Sequence, residues 1–283
     1  MKLKITIVTV LYNTQINNSK TLNSIKYLSN SYDLSHFDLI IYDNSPDSQD
    51  LPISFPLHAL YFHDQHNGGL SAAYNFALNY CNEKQIFWIL LLDQDTELTM
   101  EYFSEIEVTV PAITQNKEVV AVIPQILNGK KKISPIILMR GGFVKELKSN
   151  VYGVCDFPVT GINSGTLLKV DFITLLGGFN PLFKMDMLDY WYFCMMYKNN
   201  KKAYIIKSIL QHDLSVIDYK NVSVERYENI IKAELTFFRN YGAIDDWNIF
   251  RLRLFFRLIK QWMTVKNKRI ARITFTYLFC KNV

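Results

Sequence analysis

Several features that would mark other classes of protein are scarce in this sequence of 283 residues. The four cysteines, Cys81, Cys155, Cys194 and Cys280, are widely separated, and no two have the spacing of a Cys-x-x-Cys motif or of paired zinc ligands. Isolated thiols of this kind are typical of reduced cytosolic proteins. We therefore expect neither a disulfide framework nor a zinc site built on cysteine.

Long apolar runs are also absent. The purest run covers residues 86–92, whereas a helix that spans a bilayer needs about 20 apolar residues. The N-terminal segment holds lysines and a short apolar stretch, but no cleavage site of the kind that follows a signal peptide. We therefore expect a cytoplasmic chain without a membrane-spanning helix.

Acidic residues are missing from one end of the chain. Residues 247–283 contain nine Lys or Arg and no Asp or Glu, whereas residues 1–246 contain all 26 acids against 22 bases. The net charge of +5 is therefore concentrated in the C-terminal tail. This distribution predicts that the tail contacts an anionic surface, and it argues against nucleic acid bound along the whole chain.

The sequence does contain a regular alternation of strand and helix patterns, and its 49% of hydrophobic residues can bury a sizeable core. Uninterrupted apolar strands between helices predict an α/β fold with a mostly parallel sheet flanked by helices. The predicted strands are residues 4–11, 37–42, 58–62, 86–92, 119–123, 159–170 (entering a short helix) and 203–207. The predicted helices are residues 19–28, 71–80, 100–113, 187–197, 225–241 and 246–265.

Two carboxylates directly follow the most apolar strand. Asp93 and Asp95 flank Gln94, so they project from the carboxyl edge of the predicted sheet, where open α/β folds bind their ligands. Paired carboxylates suit a divalent ion such as Mg²⁺, with substrate phosphates completing its coordination. The alternative is an ordinary acidic turn. His212 follows a later predicted strand and is either a third ligand or a structural histidine.

Asp43 ends the second predicted strand at the same edge of the sheet. A carboxylate in this place can accept the imide N–H of a uracil or thymine ring, or bond a ribose hydroxyl. The alternative is a turn in which Asp43 or Asn44 only caps its own backbone.

Gly68 and Gly69 lead from the third strand into a helix. Backbone amides and the helix dipole at such a junction favour an anionic ligand. A plain tight turn is the alternative. The pattern is not Gly-x-Gly-x-x-Gly, which disfavours a dinucleotide site.

Asp186 and Asp189 are three residues apart at the start of a predicted helix, where they share a face. Either carboxylate can take a proton from an attacking hydroxyl. The alternative is that both only stabilise the helix dipole in its first turn. This alternative is weaker for Asp189, which lies among aromatic residues that exclude water.

Together these residues resemble glycosyltransferase family 2, the inverting enzymes with a GT-A fold, and within it the bacterial rhamnosyltransferase branch. The similarity runs from about residue 4 to residue 212. The resemblance implies that Tyr12 and Asn13 meet the nucleotide base and that Asp43 reads a pyrimidine. It also assigns donor binding to the turn from Asn67 to Gly69.

The resemblance further assigns the metal site. It implies that Asp93 and Asp95 hold Mg²⁺ or Mn²⁺ against the donor diphosphate, with His212 as a possible third ligand and Asp93 also contacting the donor. The form Asp-Gln-Asp is characteristic of the rhamnosyltransferase branch.

The acceptor side follows from the segment that begins at Gly177. In the family, the second Asp of this segment is the catalytic base, which corresponds to Asp189, and Asp186 and Trp191 fall on the acceptor side. Trp191 stands where the branch usually has Glu, and Leu11 where it usually has Thr. These departures leave the identity of the acceptor open.

The implied activity is an inverting, metal-dependent transfer of L-rhamnose from dTDP-L-rhamnose to a lipid-linked oligosaccharide for a surface polysaccharide such as O-antigen or capsule. A UDP-hexose donor, a non-catalytic sugar-nucleotide-binding scaffold, and a nucleotidyltransferase or phosphohydrolase are the alternatives. The last class is disfavoured because no Lys/Arg-rich phosphate loop is evident. We expect no nucleic-acid partner.

We predict a GT-A catalytic domain over residues 1–222, with a nucleotide-sugar half of about 1–125 and an acceptor half of about 126–222, and a helical basic appendage over 223–283. One face of the last predicted helix is apolar, with Leu252, Phe255, Phe256, Ile259, Trp262 and Met263.

Arg253, Arg257 and Lys260 lie on another face of that helix. We expect this helix to hold the chain peripherally at the inner face of a bacterial cell membrane. The alternative is that its apolar face packs on the catalytic domain and its bases face water.

Overall fold

The computed structural model describes residues 2–51, 55–148, 150–212 and 222–280. The chain divides into two compact units. The first unit comprises the described residues up to 136 and those from 146 to 212, and the second comprises residues 137–145 and 222–280. The short segment 137–145 thus belongs with the C-terminal helices, although it is far from them in sequence.

The strands and helices alternate through the first half of the chain. The strands are β1 (Ile5–Leu11), β2 (Phe37–Asp43), β3 (His58–His63), β4 (Trp88–Asp93), β5 (Thr96–Glu97), β6 (Val119–Asn128), β7 (Lys131–Ser134), β8 (Ile136–Leu138), β9 (Val144–Glu146), β10 (Gly153–Val154), β11 (Thr166–Lys169) and β12 (Lys202–His212). The helices are α1 (Lys20–Leu28), α2 (Gly69–Lys84), α3 (Met100–Ile113), α4 (Val170–Leu175), α5 (Leu188–Lys198), α6 (Val224–Asn240), α7 (Ile244–Thr264) and α8 (Lys268–Phe275).

The first unit is built on a ten-stranded sheet with the order β10-β12-β6-β11-β4-β1-β2-β3, in which β5 also pairs with β12 and β7 with β6. Strands β4, β1, β2 and β3 run parallel to one another, as do β6 and β12. Strand β11 is antiparallel to both of its neighbours, β4 and β6. The prediction of an α/β fold with a mostly parallel sheet between helices is confirmed.

The core of this unit explains why the apolar strands are uninterrupted. Every residue of β1 and β2 is buried. Because side chains alternate across a strand, Ile7 and Leu90 share one face with Ile25 of α1 and Ile106 of α3. Helix α2 packs on β1 and β4 and covers the other face. The two-sided cover is what permits continuous apolar strands.

The second unit consists of α6, α7 and α8 together with the ribbon of β8 and β9. The ribbon connection has left-handed glycines because α7 approaches closely: a Cβ on Gly141 would collide with Ile249. Among the described residues, no helix is long and apolar enough to cross a membrane.

The structure separates the three bases that the sequence placed on one face of α7. Lys260 is exposed, whereas Arg253 and Arg257 turn inward to Glu234 of α6. Helical spacing identified the faces of α7. It could not reveal that the buried carboxylate of Glu234 on α6 lies opposite the face that carries Arg253 and Arg257. The apolar face of α7 is the one left exposed.

Strands β7 to β10 are a further difference, since none was predicted. They are two to four residues long, which is too short for a periodic pattern to stand out. The predicted strand over residues 159–170 is confined to β11, at Thr166–Lys169.

Candidate active site

The carboxyl ends of three neighbouring strands converge at one edge of the sheet. In the parallel register, Leu11 of β1 lies opposite Asp43 of β2, and Val10 lies opposite Asp93 of β4. The segment that leaves β1 with Tyr12 therefore runs between the two carboxylates. This convergence follows from three apolar runs that end at the same level.

Asp93, Asp95 and His212 form a cluster at this edge. One ligand atom from each residue lies within 4.8 Å of the others. The Nδ1 atom of His212 is 3.3 Å from Oδ1 of Asp95, and its Nε2 atom is 3.8 Å from Oδ2 of Asp93. Two carboxylates and an imidazole are a suitable donor set for Mn²⁺, and the carboxylates for Mg²⁺, with room for substrate oxygens to complete the shell.

Local pairing explains how a histidine so distant in sequence reaches the acidic pair. Strand β5 begins directly after Asp95 and pairs antiparallel with the end of β12, which sets Thr96 opposite His212. The hydroxyl of Thr96 lies 3.3 Å from Nδ1 of His212. The imidazole is buried, whereas Asp93 and Asp95 remain partly exposed. The cluster is thus closed toward the protein and open toward a ligand.

Ser164 orients one member of this cluster and was not identified from the sequence. Its hydroxyl is buried and donates a short hydrogen bond to Oδ2 of Asp93. Hydrogen bonds of this kind fix a ligating carboxylate. The turn at Asn163 to Gly165 was a weak signal, because small polar turn residues are common. Gly165 has a positive φ and packs against Pro124 and Leu210.

Asp43 is buried and bonded on both carboxylate oxygens. Its Oδ1 accepts the N–H of Ser45 at 2.9 Å, which is the turn considered as the alternative for this residue. Its Oδ2 accepts from the amide of Gln49 at 2.8 Å and from the hydroxyl of Tyr61 at 2.9 Å. Asp43 therefore organises the loop after β2 as well as lying at the sheet edge.

The loop after β1 is tied to the same residues. The N–H of Asn13, which has a positive φ, donates to the hydroxyl of Ser45 at 2.9 Å. The N–H of Tyr12 donates to Oε1 of Gln94 at 2.9 Å. Gln94, the middle residue of Asp-Gln-Asp, thereby links this loop to the acidic pair. The Tyr12 ring is exposed beside it.

The glycine turn before α2 is organised by Asp64, which the sequence analysis did not single out. Its carboxylate accepts the N–H groups of His66 and Gly68 and the hydroxyl of Tyr42. Asn67 and Gly69 both have positive φ in this turn. Asp64 lies shortly before the glycines in the sequence, and an Asp in this position is typical of a turn that its side chain caps. This pattern could have identified Asp64 from the sequence.

The amides of this turn do not form the free anion site that the glycines suggested. The N–H of Gly68 is taken by Asp64, and the N–H of Leu70 donates to the carbonyl of Lys184 at 2.6 Å. A Cβ at Gly69 would collide with that same carbonyl. The glycine therefore allows close packing against the segment that leads to Asp186.

Asp189 lies in the first turn of α5, and burial is the main cause that raises its pKa to about 7. The negative charges of Asp186 and Asp93 raise the pKa further, while the N–H of Tyr190, at 2.8 Å, opposes them. Asp189 is therefore within electrostatic reach of Asp93 and is suited to accept a proton near neutral pH. Trp191, by contrast, is buried in the interior beside it.

Asn75 holds the turn that precedes these acids. Its side-chain amide donates to the carbonyl of Phe179 and accepts the Phe179 N–H, both at 2.8 Å. Gly178 has a positive φ, and a Cβ there would lie 2.6 Å from the Asn75 oxygen. Asn75 is thus a positioning residue for the chain leading to Asp189.

Tyr74 is a third residue, after Ser164 and Asp64, that sequence reasoning missed. It is fully buried, and its hydroxyl has no hydrogen-bond partner among the described residues. The pKa of this hydroxyl is raised by burial and by the charges of Asp93 and Asp189. Its place among the small residues of early α2 was the only signal.

Comparisons with known proteins agree with this architecture. Solved structures that are similar include TarS of S. aureus, with a TM-score of 0.54 and 13% identity over 94% of this chain and 45% of that one. The chain therefore spans less than half of the length of that TarS chain. Residues 1–349 of TarS in complex with UDP-GlcNAc match with a TM-score of 0.53 and 12% identity over 99% of this chain and 77% of that one.

The mannosyltransferase PcManGT from Pyrobaculum calidifontis, solved with GDP-Man and Mn²⁺, matches with a TM-score of 0.54 and 12% identity over 99% of this chain and 88% of that one. At these identities the likeness is one of fold. No curated protein sequence matches the chain. The family model described as glycosyl transferase family 2 matches residues 6–166, which is more than half of the chain and spans the acidic pair. The chain belongs to glycosyltransferase family 2.

Proposed function

We propose that the chain is an inverting, metal-dependent rhamnosyltransferase that uses dTDP-L-rhamnose. The observation that carries the proposal is a metal-binding cluster at the sheet edge together with a carboxyl of α5 that the charge of this cluster affects. Asp93, Asp95 and His212 form a cluster fit for a divalent ion, and Asp189 is a carboxyl with a pKa near 7 that is affected by the charge of Asp93. A transfer from a sugar diphosphate needs a cation for the leaving group and a base for the acceptor.

Asp93, Asp95 and His212 would hold Mg²⁺ or Mn²⁺, which would neutralise the charge that develops on the departing diphosphate. Asp189 takes the proton from the acceptor hydroxyl as the oxygen attacks the anomeric carbon. Because the attack comes from the side opposite to the diphosphate, the anomeric configuration inverts. Asp186 lies on the acceptor side of this arrangement, as does the buried Trp191.

The donor nucleotide is proposed to bind beside Tyr12 and Asn13, over the loop that Asp43 organises, with Asn67 and Gly69 closing the site. The exposed ring of Tyr12 offers a surface on which a base can stack. Gln94 supports a shared donor site, because it joins the Tyr12 backbone to the acidic pair. The Asp-Gln-Asp form favours dTDP-L-rhamnose, and a UDP-hexose is the alternative donor.

The acceptor is proposed to be a lipid-linked oligosaccharide used for a surface polysaccharide. The chain would then work peripherally at the cytoplasmic face of a bacterial membrane. The basic C-terminal tail supports this location, since it carries no acid after Asp246.

The direct test is the release of nucleoside diphosphate from candidate donors with Mn²⁺ present. We expect release from dTDP-L-rhamnose only when an acceptor glycan is added, and loss of release in Asp189→Asn. Release of phosphate without acceptor would indicate a phosphohydrolase. Donor binding without release of nucleoside diphosphate in the presence of any acceptor would indicate a non-catalytic scaffold. A calorimetric preference for a UDP-hexose would show that the UDP-hexose, and not dTDP-L-rhamnose, is the donor.

A further inference from the structure

Helix α7 presents its apolar face to solvent. Six large side chains of this helix are between 41% and 78% exposed, although apolar residues of helices normally face a core. We call this the outward face of α7. It consists of Leu252, Phe255, Phe256, Ile259, Trp262 and Met263.

The opposite side of α7 is fully occupied inside its own unit. Phe250 and Leu254 are buried, and the Phe250 ring stacks on Phe238 with centroids 4.3 Å apart. Arg257 makes two hydrogen bonds to Glu234, at 2.6 and 2.8 Å. Rotation of α7 to hide its apolar residues would expose these packed groups. The outward face is therefore a settled feature of the unit.

Exposed bases flank the outward face. On α7 these are Arg251 and Lys260, one on each side of the apolar arc at 100° per residue. The chain continues with Lys266, Lys268, Arg269 and Arg272, which are all exposed. No acid occurs among the described residues from 247 to 280.

The combination of an apolar face with flanking bases indicates what kind of partner can cover the outward face of α7. A second copy of the same face would bring bases against bases, so charge opposes a dimer through this surface. Nucleic acid would match the bases but not a stripe of exposed aliphatic and aromatic side chains. An anionic phospholipid bilayer matches both, because acyl chains accept the apolar stripe and phosphates accept the rim.

We propose that the outward face of α7 lies in the interface of an anionic bilayer, with Arg251 and Lys260 at the level of the lipid phosphates. The inference rests on the proposed function in one respect, since a lipid-linked acceptor would lie at such a surface. The apolar side chains supply insertion, and each base near the leaflet adds electrostatic attraction to the lipid phosphates.

The test uses the full chain and vesicles of phosphatidylcholine with or without phosphatidylglycerol. We expect the wild type to sediment with the anionic vesicles at low salt and to be at least tenfold less bound to neutral vesicles or at high salt. The double variant Phe256→Glu/Met263→Glu should lose binding at least tenfold. The matched control is Val108→Glu, which alters an equally exposed apolar residue of α3 and should bind as the wild type does.

Trp262 supplies a direct probe of insertion. It is exposed, whereas Trp88 and Trp191 are buried. Anionic vesicles should shift its emission to the blue, and brominated lipid should quench it. Both signals should be lost in Trp262→Phe, which should still sediment.

Three outcomes would overturn the proposal: no sedimentation of the folded wild type at low salt, equal sedimentation of Phe256→Glu/Met263→Glu, or a wild-type dimer that this variant converts to monomer. Asp189→Asn must bind vesicles normally. Its loss of turnover with intact binding separates failure of the docking proposal from failure of the proposed reaction.

Discussion

Asp189 and Glu234 are both largely shielded carboxyls in helices, yet their surroundings are opposite. Glu234 receives two guanidinium groups, with Arg257 at 2.6 Å and Arg253 at 3.3 Å. Asp189 accepts the backbone N–H groups of Tyr190 and of Asp189 itself, and the charges of Asp186 and Asp93 oppose its ionisation. Within one chain, therefore, the negative charge of Glu234 is balanced by two arginines, whereas the surroundings of Asp189 favour its protonated form.

The difference separates structure from chemistry. A buried carboxylate that only holds helices together needs opposite charge, because desolvation would otherwise neutralise it. A carboxyl that must take up a proton during a reaction needs a pKa near the working pH. Glu234 joins α6 to α7, and Asp189 stands beside the proposed metal cluster.

The largest effect is expected from Asp189→Asn. Loss of the base should lower kcat by about 10³-fold, within the range of general base catalysis, while donor affinity stays nearly unchanged because the group acts in the transition state. Steady-state kinetics and donor titration measure the two quantities. The control is Asp171→Asn, which alters an acid in the first turn of α4 and should leave kcat as it is. A loss of donor affinity instead would mean that the donor and acceptor sides are interchanged.

Asp95→Asn should remove metal-dependent turnover, by about 10²-fold or more, because the metal contributes several kcal/mol of charge stabilisation. The residue lies at a sheet edge and is partly exposed, so the melting temperature of the metal-free protein should change little. The exposed Asp47→Asn serves as the control. Near-normal turnover of Asp95→Asn with Mn²⁺ would remove the metal assignment.

Glu234→Gln should have the converse phenotype. It leaves two inward-facing guanidiniums without their carboxylate, which should lower the free energy of unfolding by about 3 kcal/mol. Denaturant unfolding measures this loss. The control is Asp245→Asn, whose ion pair with Arg140 is exposed and should cost less than about 1 kcal/mol. Equal effects of the two variants would show that Glu234 is no more structural than a surface acid.

The pH dependence follows from the raised pKa of Asp189. In the metal-free protein the pKa of Asp189 is raised to about 7. Because protonation removes the base, kcat/KM should fall about tenfold per pH unit below the pKa of Asp189 and level off above it. The free energy of unfolding should change with pH in the opposite direction to kcat/KM. A carboxyl whose pKa is raised in the folded state stabilises the fold fully below its pKa in the unfolded chain, and this contribution is lost as pH rises through about 7. Metal-free Asp189→Asn should therefore gain stability over the wild type between pH 5 and pH 8. An inflection of kcat/KM near pH 4 would contradict this.

The smallest effect concerns two fully buried tyrosines. The hydroxyl of Tyr102 donates to the carbonyl of Gly165 at 2.6 Å, whereas that of Tyr74 has no partner among the described residues. Tyr74→Phe should raise the free energy of unfolding by about 1 kcal/mol, and Tyr102→Phe should lower it by about the same amount. Destabilisation by both changes would show that Tyr74 has a bonded partner in solution.

Much of the fold was predictable because β1, β2 and β4 are mostly apolar and end at turn or acidic residues. Asp43, Asp93 and Asp95 could be placed at one edge for the same reason. The inward orientation of the arginine face of α7, which leaves the apolar face exposed, could not be predicted. Nothing in the spacing of α7 shows that Glu234 of α6 lies opposite Arg253. Tyr74 and Ser164 were missed because their importance depends on what surrounds them in space.

Asp93, Asp95 and His212 are proposed to bind a divalent ion together with the donor diphosphate, beside a base that does not bind the metal. Titration of Mn²⁺ into the protein with dTDP, followed by the loss of the free-ion paramagnetic resonance signal, tests it directly. We predict tight binding by the wild type, equal binding by Asp189→Asn, and a loss of at least tenfold in Asp95→Asn. Equal Mn²⁺ affinity of wild type and Asp95→Asn, or Mn²⁺ affinity that does not depend on dTDP, would contradict the proposed metal site.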